Sequence, residues 1–322
     1  MYQGFLTDVD GVNLGHYQDK KAATGVSVAI FPEGATCGVD VRGSAPGTRE
    51  TDLLKAENLV EKVHGVLLSG GSSYGLSAAS GIMKYLEEKN IGMDVSVCKV
   101  PIVVGAVIFD LGIGNPFVRP DHEMGYKASL NISDNDKSLG NIGAGCGASV
   151  GKILGNDYAM KSGIGQSSLK VGDLLVSSIT VLNAFGDIFD YEKSIQIAGC
   201  YDRKNYKFLS TEDLYKNMNS DYNAFNRATN TTISLVTTNA LLTKANCNKV
   251  SQMAHDGYAR AINPVHTMFD GDTIFTCTTG KVKADVSLVG MLAAKSIARS
   301  IANAIYCSHA SYGLISYKEI SK

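Results

Sequence analysis

The sequence predicts an α/β (α+β) fold from three patterns of apolar residues. Val26, Val28 and Ile30 alternate with small residues, which indicates a strand. Residues 174–185 are uncharged and β-branched in their middle, as is typical of a buried strand. Apolar residues near helical spacing over 286–305 predict a long helix. Strands and helices therefore both contribute to the expected core.

The elements between these follow the same two periodicities. The strand pattern resumes over 36–41 after Pro32-Glu33-Gly34, so we expect two strands joined by a turn. Thr51 is a candidate N-cap for a helix over 53–63. Residues 66–88 predict a short buried strand, a glycine-rich turn and a helix.

Composition bounds the function. The 322 residues carry 30 Lys+Arg against 31 Asp+Glu, and 44% are hydrophobic. These proportions are typical of an ordered globular protein, and we expect one domain over residues 1–322. The near-zero net charge argues against binding to nucleic acid or to an acidic membrane. The longest strongly apolar stretch, 102–109, is too short to span a bilayer.

The spacing of the cysteines and histidines predicts neither disulfide bonds nor a metal site. Seven cysteines, an odd number, are widely spaced without a C-x-x-C pair, which predicts reduced thiols in a reducing compartment. No two histidines are four residues apart, so we expect no metal and no cofactor. The first residues lack the basic start of a signal peptide, and a cytoplasmic location is expected.

Two short motifs carry possible chemistry. The segment 143–152 is glycine-rich, but Cys146 stands where a phosphate loop needs glycine, which favours a close-packed turn. In Asp270-Gly-Asp272, two carboxylates at i, i+2 share one face of an extended chain and either hold a proton between them or belong to a turn. His266 is better explained as a packed or hydrogen-bonded residue than as a base.

Charge density changes abruptly at residue 231. Residues 202–230 include nine charged side chains, and residues 231–243 include none. A polar, exposed segment therefore leads directly into a buried strand, and exposed polar segments are where chains are cut. A surface loop entering a core strand explains the same pattern without cleavage.

Eight short blocks, taken in order, carry a resemblance over nearly the whole chain. They are residues 10–16, 41–50, 69–76, 101–110, 143–147, 161–165, 181–186 and 266–275. With the segment 230–240, they resemble the L-aminopeptidase/D-esterase peptidases, whose relatives include the β-aminopeptidases and the nylon-oligomer endohydrolase. The resemblance implies a four-layer αββα sandwich with two stacked central sheets.

The resemblance also implies a self-processing hydrolase. Precursors of this family cut themselves before a Ser or Thr, and the matching bond here joins Asn230 to Thr231. Cleavage would give a large subunit, 1–230, and a small subunit, 231–322. The freed α-amine of Thr231, with a reference pKa of ~7.7, would be the base beside its own hydroxyl. The family usually assembles as tetramers of processed heterodimers.

Further site residues follow from the resemblance. Asn183 matches the asparagine of the oxyanion hole, and Lys161 matches a lysine that steadies the nucleophile or the intermediate. Asp270 and Asp272 match the acidic pair. These four residues and Thr231 are the expected catalytic group.

Phe109 and Tyr74 are the residues expected to line the substrate pocket. Phe109 replaces a tyrosine of the aminopeptidases, which places the chain nearer the nylon-hydrolase branch. A short peptide, a β-peptide or another small amide is the expected substrate. Two alternatives stay open: an acyltransferase that uses the same acyl-Thr intermediate, and an unprocessed binding homologue without catalysis.

Overall fold

The computed structural model describes residues 1–218 and 230–321. The strands are β1 Asn13–Asp19, β2 Thr24–Val41, β3 Thr48–Arg49, β4 Lys62–Ser69, β5 Met93–Asp94, β6 Lys99–Val100, β7 Val103–Val107, β8 Ser149–Val150, β9 Met160–Lys161, β10 Ile164–Val171, β11 Leu174–Val181, β12 Asp187–Asp190, β13 Ile195–Ala198, β14 Cys200–Asp202, β15 Lys207–Leu209, β16 Ile233–Ala240, β17 Ile262–Asn263 and β18 Thr273–Val282. The α-helices are α1 Ala78–Glu88, α2 His122–Leu130, α3 Thr211–Lys216, α4 Lys244–Ala261, α5 Val286–Tyr306 and α6 Tyr317–Ile320.

Nine of these strands form one mixed sheet. Its order is β10-β11-β16-β18-β2-β4-β7-β3, and β1 pairs with β2 beside this path. The 18-residue β2 pairs with β1 through its first half and with β18 through its second half. β2 therefore joins two halves of the sheet, one built on β10, β11, β16 and β18 and the other on β1, β4 and β7.

Helices cover the outer face of each half. α5 packs on β10 and β11, and α4 packs on β18 and β2, whereas α1 and α2 pack on β1, β2, β4 and β7. Val66 and Leu68 of β4 share an apolar cluster with Ile233 and Leu235 of β16, so the two halves face each other. The α/β class is confirmed, and the predicted stacked sheets take the form of two facing halves of one hydrogen-bonded sheet.

Two predicted elements are wrong. β2 continues where a turn was expected, because a register shift between Ile30 and Ala35 accommodates the proline and glycine inside the strand. The helix over 53–63 is absent, and only a short 3₁₀ turn, Asp52–Leu54, forms there. The apolar residues of 53–63 do not form one buried helix face: Leu59 is 88% exposed, and β4 already begins at Lys62.

Other predicted elements are confirmed. β4, α1, β11 and α5 occupy the segments that the sequence assigned to two buried strands and two helices. α5 is long and apolar enough to cross a membrane, but 78% of its most apolar window is buried inside the fold. Packing on β10, β11 and α4 explains that apolar character. The polar segment expected over 202–230 lies partly outside the described residues.

One edge of the sheet collects four chain segments. β16 and β18 run parallel from the same edge, with Ile233 paired to Thr273. β11 and β2 run antiparallel to them and end there, with Val181 paired to Ile233 and Val41 paired to Thr273. The residues that leave β11 and β2 therefore meet the residues that enter β16 and β18.

Candidate active site

The peptide bond between Asn230 and Thr231 lies at this edge, where both residues are buried. The Thr231 hydroxyl donates to the Asn230 carbonyl oxygen, with Oγ1 and O 2.5 Å apart. The Gly271 N–H donates to the same carbonyl at 3.0 Å. The Thr231 N–H donates to the carbonyl of Asn183 at 3.0 Å. The Thr231 hydroxyl and the Gly271 N–H thus both polarise the Asn230 carbonyl, and the Asn183 carbonyl holds the nitrogen of the same peptide bond.

Close approach at this carbonyl requires glycine at position 271. A Cβ added to Gly271 would lie 2.7 Å from Thr231 Oγ1 and 2.7 Å from the carbonyl oxygen of Ala45. The first contact is with the candidate nucleophile and the second with rigid backbone. A side chain here would push the hydroxyl or the turn away from the carbonyl.

Asn183 is fully buried just after β11, and its side-chain amide has a fixed orientation. Its Oδ1 accepts from Lys152 Nζ at 2.8 Å and from the Ser149 N–H at 3.2 Å. Its Nδ2 donates to the Phe109 carbonyl at 3.1 Å. Because the ammonium and the N–H only donate, Oδ1 must face them, and Nδ2 faces the Phe109 carbonyl.

Sequence reasoning missed Lys152. Burial lowers the pKa of this amine to about 7, and the negative charges of Asp270 and Asp110 oppose that shift. The available signal was a lysine at the end of the glycine-rich segment 143–152, which the sequence argument treated only as a failed phosphate loop. Lys152 orients Asn183 and is a group able to exchange a proton near neutral pH.

Lys161 is completely buried, and its amine contacts three backbone carbonyls. Its Nζ donates to the carbonyls of Gly145, Ala148 and Ser162 at 3.0, 2.8 and 2.5 Å. Burial lowers the pKa of its amine to about 7. The structure therefore places this ammonium beneath the glycine-rich turn, whereas Lys152 contacts Asn183.

Asp270 is buried at the start of the turn that enters β18. Its Oδ2 accepts from the Thr267 N–H at 2.7 Å and from the Thr267 hydroxyl at 2.6 Å. Burial, followed by the neighbouring charge of Asp272, raises the pKa of the Asp270 carboxyl to about 7. Asp270 and Lys152 are thus two buried groups whose ordinary pKa values have moved toward neutrality, and the charge of Asp270 acts on the Lys152 amine.

Asp272 connects the segment that enters β16 to His266. Its Oδ1 accepts from the Thr232 N–H at 2.8 Å, and its Oδ2 lies 2.8 Å from His266 Nδ1. His266 adopts a left-handed backbone conformation, with φ 57°, and its ring packs edge-on against His255. The hydrogen bond to Asp272 confirms the sequence interpretation of His266 as a hydrogen-bonded residue. The Asp272 carboxylate holds the chain one residue beyond Thr231.

A cavity of about 180 Å³ opens beside Thr231. Residues 45–47, 72–73 and 107–109 line it together with Asn230 and Thr231. Phe109 therefore lines this cavity, and its role in substrate binding stays a prediction. Tyr74 does not line this cavity: it is 58% exposed, and the Arg119 guanidinium stacks 3.8 Å above its ring.

A second group of side chains has the composition of a hydrolase triad. Ser27 Oγ lies 2.8 Å from His16 Nδ1, and His16 Nε2 lies 3.4 Å from Asp136 Oδ1. Ser27 is completely buried, and its hydroxyl accepts from the Ala144 N–H at 3.1 Å. This serine is bonded on both sides within the core and fastens the glycine-rich turn to β2.

The described part of the chain contains no set of side chains that could bind a metal ion. No group of three His, Cys, Asp or Glu side chains lies close enough there to hold an ion. All seven cysteines are free thiols.

Comparison with known proteins identifies a hydrolase of amide or peptide bonds. The structure is similar to the L-aminopeptidase D-Ala-esterase/amidase of Ochrobactrum anthropi, described as a variant of the Ntn hydrolase fold, with a TM-score of 0.71. That match covers 94% of this chain and 86% of the other, at 14% sequence identity. At that identity the likeness supports the fold alone.

Sequence comparison supplies the family. The model of peptidase family S58 matches residues 5–315, and the chain belongs to this family. It is 36% identical to an uncharacterized aminopeptidase of Mycobacterium bovis, over 98% of this chain and 97% of that protein. It is 30% identical to the 6-aminohexanoate-oligomer endohydrolase of a Kocuria species, over 85% of this chain and 75% of that enzyme. The predicted resemblance is confirmed.

Proposed function

We propose that this protein cuts its own chain between Asn230 and Thr231 and then hydrolyses short peptides or small amides through an acyl-Thr231 intermediate. The observation that carries the proposal is the set of contacts at that bond. Thr231 Oγ1 lies 2.5 Å from the Asn230 carbonyl oxygen, and the Gly271 N–H donates to the same oxygen at 3.0 Å.

Maturation begins with attack of Thr231 Oγ1 on the carbonyl carbon of Asn230. The Oγ1–C bond forms, the C–N bond breaks, and the hydroxyl proton passes to the departing nitrogen of Thr231. The Gly271 N–H receives the negative charge that develops on the carbonyl oxygen. Asp270 and Lys152, each with a pKa of about 7, are groups that can carry the proton. Water then opens the ester and leaves a carboxylate on Asn230.

The mature enzyme repeats this chemistry on a substrate amide. The new α-amine of Thr231, held by the carbonyl of Asn183, takes the hydroxyl proton. Asn183 Nδ2 donates to the oxyanion while Lys152 keeps the amide oriented. The amine product leaves with the proton, and water hydrolyses the acyl-threonine. No metal or cofactor takes part in this scheme.

The proposal extends to assembly and location. The chain is one domain that becomes two subunits, 1–230 and 231–322. They should stay associated because β16 and β18 of the small subunit pair with β11 and β2 of the large one. Assembly into a tetramer of such heterodimers is proposed from the family resemblance. A cytoplasmic location is consistent with the seven free cysteines. Short peptides and small amides are proposed as substrates because relatives are named for cleaving them.

Intact mass and N-terminal sequencing of the purified protein test the proposal together. We expect two fragments that share the 34.2 kDa of the chain, the smaller beginning at Thr231. A fully active protein that remains one chain, or a small fragment that begins at Thr232, would contradict Thr231 as the nucleophile. Dialysis against EDTA should leave the activity unchanged, whereas recovery of lost activity by one added metal would refute the metal-free scheme.

A further inference from the structure

We propose that the segment 269–271 binds the backbone of a substrate's acyl residue, with the Phe269 carbonyl accepting from its α-nitrogen and the Gly271 N–H donating to its reacting carbonyl. The processed enzyme should therefore favour α-aminoacyl groups over β-aminoacyl groups of the same composition. This inference rests on the proposed function and states how the same site recognises the acyl part of its substrate.

In the uncut chain, residue 230 pairs with this segment as a short parallel strand. Asn230 and Asp270 form an isolated parallel β-bridge. The Asn230 N–H donates to the Phe269 carbonyl at 3.1 Å, and the Gly271 N–H donates to the Asn230 carbonyl at 3.0 Å. In such a bridge, one residue is held by the two residues that flank its partner. The segment therefore already binds one acyl residue, namely the one that self-cleavage separates from Thr231.

A substrate takes the same place when its carbonyl reaches the nucleophile. The Thr231 nitrogen is held by the Asn183 carbonyl at 3.0 Å, so the position of the Thr231 backbone is fixed. A substrate carbonyl that reaches both Oγ1 and the Gly271 N–H then lies where the Asn230 carbonyl lies in the uncut chain. Self-cleavage converts that carbonyl into a carboxylate on a residue that is only 1% exposed, and a buried charge without a counter-ion is costly. Residue 230 therefore leaves, and the substrate's acyl residue replaces it on the segment.

The spacing of the two backbone contacts suits an α-amino acid. The Phe269 carbonyl and the Gly271 N–H meet the nitrogen and the carbonyl oxygen of a single α-residue. A β-amino acid has one more carbon between these groups, which lengthens the path from nitrogen to carbonyl by about 1.5 Å. A displacement of that size exceeds the range of hydrogen-bond distances. An extended β-aminoacyl group can therefore make one of the two contacts but not both.

The segment recognises the backbone of residue 230 and not its side chain. Asn230 lines the cavity beside Thr231, but neither its Oδ1 nor its Nδ2 has a hydrogen-bond partner among the described residues. A smaller apolar side chain loses no hydrogen bond there and avoids the cost of an unpaired buried amide. Alanine is therefore a suitable acyl residue for a test.

Two isomeric chromogenic amides test the inference. L-Alanyl-p-nitroanilide and β-alanyl-p-nitroanilide have the same atoms, a free amine and the same leaving group, and they differ in the carbon that carries the nitrogen. The processed wild-type protein should hydrolyse the α-compound with kcat/KM at least tenfold higher at pH 7. Equal or preferential hydrolysis of the β-compound, or hydrolysis of other amides but of neither isomer, would overturn the inference and leave the proposed function standing. A processed protein that hydrolyses no amide would contradict the proposed function itself.

Two variants of residue 230 test the backbone contact during self-cleavage. Asn230→Ala and Asn230→Pro both remove the side-chain amide, but only proline also removes the N–H that donates to the Phe269 carbonyl. Asn230→Pro should therefore mature at least tenfold more slowly than Asn230→Ala, measured as the rate at which the small fragment appears in folded protein. Equal rates would show that the Phe269 carbonyl does not help to bind the acyl residue.

A crystal structure of the processed protein with L-alaninal locates the contacts directly. This aldehyde adds reversibly to the Thr231 hydroxyl: the Oγ1–C bond forms, and the hydroxyl proton passes to the aldehyde oxygen. The α-nitrogen should lie within about 3.2 Å of the Phe269 carbonyl oxygen, and the former aldehyde oxygen within about 3.2 Å of the Gly271 nitrogen. An adduct that lies away from the segment 269–271 would overturn the inference even if the α-compound were the better substrate.

Discussion

Two regions of this protein bring together side chains that are typical of hydrolases, and only one of them faces a cavity. Ser27, His16 and Asp136 have the residue types of a catalytic triad, with contacts of 2.8 and 3.4 Å. Thr231 lies instead beside a carbonyl and an open cavity. Completely buried, Ser27 can meet no substrate.

The difference shows what this site requires. A hydroxyl becomes a nucleophile when a carbonyl carbon, a donor for its oxygen and a nearby base meet at one place. Thr231 has the carbonyl of Asn230 and the N–H of Gly271, and in the proposed mechanism its own nitrogen becomes the base after cleavage. At Ser27, the same kind of hydrogen bonds only fasten one part of the core to another.

The largest expected effect is that of Thr231→Ala, which should give one uncut chain without measurable amide hydrolysis. The variant removes the attacking oxygen from both reactions. Electrophoresis and a chromogenic amide assay measure the two losses. Thr232→Ala is the matched control and should still be cut, because Asp272 contacts the N–H of Thr232 and not its hydroxyl. A Thr231→Ala protein that is still processed and active would show that Thr231 is not the nucleophile.

Gly271→Ala should slow self-cleavage at least a hundredfold. The added Cβ would lie 2.7 Å from Thr231 Oγ1 and would disturb the N–H that polarises the Asn230 carbonyl. The rate of appearance of the small fragment after expression measures the effect. Gly112→Ala is the control, because a Cβ there meets nothing within 4 Å, and it should mature at the wild-type rate. Equal maturation of both variants would show that the carbonyl tolerates a shifted turn.

Asn183→Ala should fold and lose at least tenfold in kcat. A single oxyanion-hole donor is worth about 2.7–4 kcal/mol in comparable enzymes, and this variant removes one. Lys152→Met should cause a smaller loss, because it releases the amide orientation but keeps the donor. Steady-state kinetics on one cleavable amide compare the two. Wild-type turnover by Asn183→Ala would remove this residue from the oxyanion site.

Asp270→Asn and Asp272→Asn should each slow maturation and hydrolysis by about tenfold, since the aspartates support Thr231 in both reactions. His266→Ala should slow maturation and hydrolysis as much as Asp272→Asn does. His266→Asn should keep most of the wild-type rates, because asparagine keeps a donor for Asp272 and tolerates the left-handed backbone. Maturation time courses and kcat measure the series. Normal behaviour of both aspartate variants would show that the pair only shapes a turn.

The smallest effect on activity is expected for Ser27→Ala. Hydrolysis should stay within twofold of wild type, while the free energy of unfolding falls by about 1–3 kcal/mol because the buried His16 and Ala144 nitrogens lose a partner. Urea unfolding and the amide assay measure the two quantities on the same preparation. A tenfold loss of activity at unchanged stability would instead assign Ser27 a part in catalysis.

Local pattern predicted the elements that bury one face regularly. β11 and α5 follow the uncharged and helically spaced apolar runs that predicted them. The pattern failed over 53–63, where helical spacing exists but the chain lacks a surface to pack on and leaves Leu59 exposed. Periodicity describes which residues are apolar, and tertiary contacts decide whether that face is used.

The candidate site was predictable to different depths. The abrupt loss of charge at residue 231 and the block 266–275 directed attention to Thr231, Asp270 and Asp272, which the structure brings to one edge. The resemblance assigned Lys161 to steadying the nucleophile or the intermediate, and that role stays a prediction; in the structure its amine contacts three backbone carbonyls. Both lysines are buried beside the glycine-rich segment, and nothing in their local sequence shows that Lys152 is the one that reaches Asn183.

The sequence by itself determined the α/β class, the family and the bond at which a polar segment meets a core strand. Only the tertiary structure decided that Asn183, Gly271 and Thr231 meet, that Lys152 orients the amide, and that the walls at 107–109 are uncharged. The physical reason is strand register: β11, β16, β18 and β2 pair so that their ends coincide at one edge. Such pairing joins residues far apart in the chain, and a local pattern holds no information about it.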